Sequence, residues 1–371
     1  MRLPQLRAPG AAPGGRALLP GQVPPVRHAD DTRKVKWSTV IVAVASGKGG
    51  TGKTTVAVSL ALSLAPDAGR GRTPGVSRET PAESASANPV HPSVNPAHPL
   101  FLDCDVEEPN AALFLNPTIQ ECREVGLLVP EIDAEACTCC GRCAEVCQYH
   151  AIAVVGEQVL VFPELCHGCG SCVLNCPAGA IREVLHVTGT VERGWAGLPL
   201  AAGGPGGVEF AQGTLNVGEP MAVPIIRQLK HWMLPAALGE RPTILDASPG
   251  TACPVVETMR GADCALMVTE PTPFGLHDLR LAVEVARGEL GLPVGVVINR
   301  DGVGDRGVDE YCTAEGIPIL MRIPHDRRIA EAISEGKALV EALPEYRPGF
   351  IELYQRIVHR DGSGTAQEVA R

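Results

Sequence analysis

A run of β-branched and small apolar residues, STVIVAVAS (38–46), passes through GKGGTGKT (47–54) straight into KTTVAVSLALSLA. Such a junction leaves a chain little choice. An almost unbroken apolar run is what a parallel strand buried on both faces requires, and the segment after the glycines reads as a helix. Between the two, Gly47 to Thr54 matches G-x-x-x-x-G-K-[ST] in full. Glycines allow backbone N–H groups to curl around phosphate oxygens, and the start of a helix adds its positive dipole end. Gly47, Lys48, Gly49, Gly50, Thr51, Gly52, Lys53, Thr54 and Thr55 are therefore the expected nucleotide-binding loop, with Lys53 reaching the β- and γ-phosphates and the Thr54 hydroxyl on Mg²⁺.

Farther along, TILDASPGT (243–251), CALMVTEPT (264–272), the helical GLHDLRLAVEVARGEL, VGVVINR (294–300) and PILMRIP (318–324) continue an alternation of strands and helices. Residues 137–184 interrupt it. There Cys137, Cys140, Gly141, Cys143, Cys147, Ala151 and Ile152 recur 29 positions later as Cys166, Cys169, Gly170, Cys172, Cys176, Ala180 and Ile181. Duplication of a small metal-binding unit explains that period. One parallel-sheet domain with a second domain spliced into it is the organisation these patterns imply.

Both halves of the repeat read C-x2-C-x2-C-x3-C, the bacterial ferredoxin spacing, with Pro177 after the second run and Gln148 after the first. In such pairs the fourth cysteine serves the other cluster. One [4Fe-4S] cluster is thus assigned to Cys137, Cys140, Cys143 and Cys176, and a second to Cys147, Cys166, Cys169 and Cys172. Cys139 is the odd member, and His150 and His167 are expected to be surface or hydrogen-bonding histidines. Tandem runs of this kind exceed the needs of a four-coordinate zinc site and match no zinc spacing. The sequence alone does not separate an electron relay from a structural clip, since both need the same ligands.

Fourteen cysteines in 371 residues would suit a secreted disulfide protein, but eight sit in the two tight clusters, and no apolar run resembles a signal core or a membrane span. A reducing cytoplasm is the expected compartment. The formal net charge of −10 argues against a nucleic-acid partner or an anionic membrane surface. Low periodicity with abundant Pro and Gly predicts a disordered tail over 1–37 and a solvated loop over 66–99. The expected domains are then a discontinuous nucleotide-binding domain over 38–116 and 190–360, an inserted cluster domain over 128–186, and a short tail over 361–371.

Lys48 is an extra lysine that a plain phosphate loop does not need, and KGGTGKT resembles the deviant Walker A motif of the MinD/ParA/Mrp/nitrogenase-iron-protein ATPases. DCDVEEPN resembles that family's switch I, TILDASPGT its Walker B and switch II, and VTEPTPFGLHDL and IPHDRRIAEAISEGKAL fit more loosely. The resemblance spans roughly residues 38–350, and together with the cysteine runs it is to members carrying an inserted ferredoxin domain. It implies a doubly wound, mostly parallel α/β P-loop NTPase sheet with an α+β bacterial-ferredoxin-like insertion. It further implies ATP and Mg²⁺ as ligands, Lys48 acting in trans across an ATP-state homodimer, and Asp105 positioning the attacking water, with Asp103 nearer the strand end. Asp246 would hold the Mg²⁺ shell with Thr54, Gly250 would sense the γ-phosphate, and Asn299 would lie at the adenine edge. Cys253 sits at the offset of a nitrogenase-type cluster ligand, but without a second cysteine nearby it is expected to be a packed thiol. The activity implied is ATP hydrolysis coupled to electron transfer to an unidentified redox partner. The alternatives are an iron-sulfur cluster carrier and a MinD/ParA-like positioning ATPase. Against the last, FIELYQRIVHR reads as a core-facing helix and not as a basic membrane-binding one.

Overall fold

In the computed structural model of the chain, residues 40–65, 98–197, 207–237 and 241–359 are described, all of them within one compact unit. The expected tails over 1–37 and 361–371 and nearly all of the loop over 66–99 lie outside the described residues.

The apolar run becomes β1 (Ile41–Ala45), and α1 (Lys53–Leu64) follows the glycines. Next come β2 (Leu100–Asp103), α2 (Ala111–Leu115) and the long β3 (Thr118–Ile132). The cysteine region contributes α3 (Arg142–Val146), the hairpin of β4 (Ile152–Val155) and β5 (Gln158–Val161), and α4 (Ser171–Leu174). The chain returns through β6 (Ile181–Ala196), β7 (Val208–Leu215), α5 (Val223–Ala237) and β8 (Thr243–Asp246). It continues with α6 (Cys253–Met259), β9 (Cys264–Thr269), α7 (Pro273–Val283), β10 (Val294–Asp301), α8 (Gly307–Ala314) and β11 (Ile319–Pro324). Helices α9 (Arg327–Ser334), α10 (Leu339–Ala342) and α11 (Arg347–Val358) close the described part.

Nine strands form one sheet in the order β11-β10-β9-β1-β8-β2-β7-β6-β3. From β11 to β7 every pairing is parallel, and β6 and β3 then add in antiparallel. Alternation along the strands explains why both faces are covered. Ala43 and Ala45 enter a core with Ile225 of α5, Met259 of α6 and Leu279 of α7. Their neighbours Val42 and Val44 enter the opposite core with Val56 and Leu60 of α1 and Phe350 and Leu353 of α11. The C-terminal FIELYQRIVHR segment accordingly buries Phe350, Leu353, Tyr354 and Ile357.

The antiparallel pair decides where the cysteines go. Strand β6 pairs with β7 only over 189–196, whereas β3 runs beside it as far as Ile132 opposite Ile181. One end of this hairpin is therefore part of the sheet, and the other projects past β7 to carry the cysteine region. The handover falls at a register shift between Val125 and Gly126, where a side chain on Gly126 would meet the carbonyl of His186 at 1.9 Å. Helix α5 holds the hairpin at that point. Gln228 donates to the Gly126 carbonyl at 2.7 Å, and Trp232 lies beneath the guanidinium groups of Arg123 and Arg193, at 4.2 and 5.1 Å.

Candidate nucleotide and cluster sites

The parallel register brings three acidic residues to the carboxyl ends of adjacent strands, where open α/β sheets bind their ligands. Asp246 lies opposite Val44 on one side and Asp103 on the other. Lys53, on the first turn of α1, reaches into this corner: its Nζ is 2.7 Å from Asp246 Oδ1 and 3.9 Å from Asp105 Oδ2. Burial alone would push the amine toward neutrality, but Asp246 first, then Asp105 and Asp103, outweigh it and hold Lys53 above its ordinary value. Asp105 is moved upward by burial, against the pull of Lys53.

The loop itself needs its glycines for two different reasons. Gly50 and Gly52 sit at φ 78° and 88°, the left-handed region. Gly47 has no such φ, but a side chain there would come within 2.1 Å of the Asp278 carbonyl in α7. Gly250, at φ 97°, donates its N–H to the Ser46 carbonyl at 2.9 Å and so ties the segment after β8 to the end of β1. Two buried polar atoms at this corner, Asp246 Oδ2 and Thr51 Oγ1, have no hydrogen-bond partner among the described residues. An open carboxylate oxygen and hydroxyl beside a glycine loop and a helix start fit a metal-bound polyphosphate.

Three residues take places that the sequence patterns did not indicate. Asp103 is fully buried and accepts N–H groups from Asp105 (3.1 Å), Asn110 (3.1 Å) and Ala111 (3.0 Å), which caps α2 and shapes the loop that carries Asp105. Glu270, nearly buried, pairs with Lys48 at 3.5 Å and also with Arg300. Asn299 donates from Nδ2 to the Thr51 carbonyl at 2.8 Å and accepts from the Arg300 N–H at 2.9 Å, so its side chain braces the phosphate loop. Cys253, expected to be packed, is exposed at the first turn of α6.

In the cysteine region each repeat builds a left-handed glycine, Gly141 or Gly170, then a single helical turn carrying a buried cysteine, Cys143 or Cys172. The local bonds repeat as well, with Ala151 N–H donating to Cys147 Sγ and Ala180 N–H to Cys176 Sγ, both at 3.3 Å. Two cavities result. One is lined by Cys137, Cys140, Cys143 and Cys176, with Cys139 on its wall. The other is lined by Cys147, Cys166, Cys169 and Cys172. The fourth cysteine of each run thus faces the cavity of the other. Among the described residues no three His, Cys, Asp or Glu side chains converge on a single ion. Thiols spread around a chamber fit a cube that offers each its own iron. Burial holds the Cys143, Cys166 and Cys172 thiols above their ordinary range. His150 and His167 are both exposed, and His167 stacks on Tyr149 with ring centroids 3.8 Å apart.

Fold and sites together define an α/β P-loop protein whose sheet continues into a ferredoxin-type module. The 4Fe-4S dicluster domain family matches residues 129–177. Two uncharacterized proteins of Methanocaldococcus jannaschii are similar over most of their length. One is 28% identical across 81% of this chain and 92% of its own, and the other 27% identical across 85% and 95%. Among solved structures, the septum site-determining protein MinD from Pyrococcus horikoshii, complexed with Mg-ADP, is 18% identical at a TM-score of 0.46, covering 87% of this chain and 98% of that one. The MinC:MinD cell division protein complex of Aquifex aeolicus gives 14% identity at a TM-score of 0.46, with coverage of 88% and 99%. No helix among the described residues is long and apolar enough to cross a membrane.

Proposed function

We propose that this chain is an ATP-hydrolysing iron-sulfur protein in which nucleotide-dependent dimerisation is coupled to electron transfer to a partner. The observation that carries this reading is the shared sheet. Strand β2 ends in Asp103 beside Asp246 and pairs with β7, β7 pairs with β6, and β6 begins at the cysteine cavities. A change at the Asp105 loop is thereby adjacent, through two strand pairings, to the hairpin that carries the cysteines.

In this reading Lys53 neutralises the β- and γ-phosphates, Thr54 and Asp246 hold the Mg²⁺ shell, and Asp105 orients water for attack. Lys48 leaves Glu270 to reach a partner's phosphates, and Asn299, which braces the loop through the Thr51 carbonyl, lies at the adenine edge. Cys137, Cys140, Cys143 and Cys176 would hold one [4Fe-4S] cluster, and Cys147, Cys166, Cys169 and Cys172 the other. When bound, such clusters supply one-electron transfer at low potential. Burial of Cys143, Cys166 and Cys172 favours retained clusters over a role in handing them on.

Protein reconstituted without oxygen is expected to hydrolyse ATP, and Lys53→Ala to abolish turnover while leaving the iron content intact. Phosphate release undiminished by that substitution would sink the reading.

A further inference from the structure

The cavity of Cys147, Cys166, Cys169 and Cys172 opens onto a surface that the ATPase does not use. Leu128 of β3 and Leu185 of β6 face each other across the hairpin, and they are 49% and 53% exposed. Leu128 also lines the cavity, together with the stacked rings of Tyr149 and His167. Leu128, on the wall of a redox cavity with an exposed aromatic stack and paired across the hairpin with the exposed Leu185, forms an apolar centre with no partner among the described residues.

The module that carries it is one-sided in charge. Residues 128–186 contain seven carboxylates, all exposed, against two arginines and no lysine, a formal −5. Both arginines are already engaged, Arg142 with Glu145 at 3.1 Å and Arg182 with Glu131. Glu183 lies on the cavity wall itself. An apolar centre with Glu183 at its edge, on a module of formal charge −5, is complementary to a partner whose own contact surface is apolar with lysine or arginine beside it.

We propose that this surface is the docking site of a basic one-electron redox protein, and that electrons leave or enter the module through the cluster held by Cys147, Cys166, Cys169 and Cys172. The inference rests on the electron-transfer reading above and adds the place and the partner's chemistry. In the outward direction, one electron from a reduced [4Fe-4S]⁺ cluster, itself reduced by a low-potential one-electron donor, passes to the partner's oxidised centre. The cluster returns to the 2+ state, and no bond is made or broken.

Cytochrome c, a basic one-electron protein, serves as the probe, with the full-length, reconstituted protein. Its affinity is measured by titration calorimetry with both proteins oxidised, and its reduction by stopped flow after dithionite treatment and removal of the excess. Binding is expected to weaken steeply with salt, about tenfold with the double substitution Leu128→Lys and Leu185→Lys, and severalfold with Glu183→Gln. Leu174→Lys, 86% exposed on the turn before the Cys176 ligand of the other cavity, should change affinity less than about twofold. The electron-transfer rate should follow the same order. An effect of Leu174→Lys equal to that of the leucine pair would move the exit to the other cluster and overturn the proposal. So would a double variant that converts a dimer into a monomer on size exclusion, since the patch would then belong to a second copy. A chain that holds no iron would overturn the electron-transfer reading as well. A chain that holds its iron but binds the probe equally well in all variants would overturn this inference alone.

Discussion

Cys139 shows how far spacing reaches at the scale of one residue. It lines the same cavity as Cys137, Cys140, Cys143 and Cys176, at φ 52°, yet falls outside the ferredoxin spacing. Cys139→Ser is expected to keep about eight irons per chain, whereas Cys140→Ser should lose iron from one cluster; iron analysis and the visible spectrum decide between them. Asp103 offers a second test. Burial first, and Asp246 next to it, push its carboxyl up to about 7 from the ordinary 3.8, despite the N–H groups of Ala111 and Asp105 and the charge of Lys53. Because the folded value is the higher one, the native chain holds a proton between roughly pH 4 and 7 that the unfolded chain has released. Its contribution to stability is full below that window and falls as pH rises through it. Asp103→Asn should remove this part of the pH slope in denaturant titrations without nucleotide. It should also cost about 1–3 kcal/mol, because the amide cannot accept all three N–H groups. An unchanged slope would show that Asp103 does not titrate there.

The elements differ in how plainly they were written in the chain. Strand β1, α1 and the two cysteine helices follow from patterns a few residues long: an apolar run, a glycine loop, a spacing of thiols. The β3–β6 hairpin does not. TIQECREVGLLVPEI and IREVLHVTGTVERGWA mix charged and apolar residues because each strand serves two environments, the sheet at one end and the cysteine module at the other. Contacts between elements also separate glycines that look alike. In the phosphate loop, Gly47→Ala places a methyl group against the Asp278 carbonyl of α7, whereas nothing lies within 4 Å of a side chain at Gly49. Gly47→Ala should therefore lower stability by about 1–3 kcal/mol. Gly49→Ala should leave the melting temperature almost unchanged, and thermal unfolding of the pair separates packing from phosphate binding.

For the molecule as a whole, nucleotide should govern association. A chain bearing Asp105→Ala and supplied with ATP and Mg²⁺ is expected to elute as a dimer on size exclusion, and Lys48→Ala in that background as a monomer; identical elution with and without ATP would exclude the coupling. The sequence by itself determined the parallel α/β plan, the phosphate loop, and the two sets of four cysteines, because each is encoded by strand or helix periodicity or by short covalent spacings. Only the tertiary structure decided that Lys53 meets Asp246 across 193 positions, that Glu270 holds Lys48, and that Asp103 caps a helix instead of facing the open site. It alone decided, too, that the cysteine module stands on strands of the ATPase sheet. Those contacts join segments far apart in the chain through charge and backbone hydrogen bonds, and neither leaves a local pattern to read.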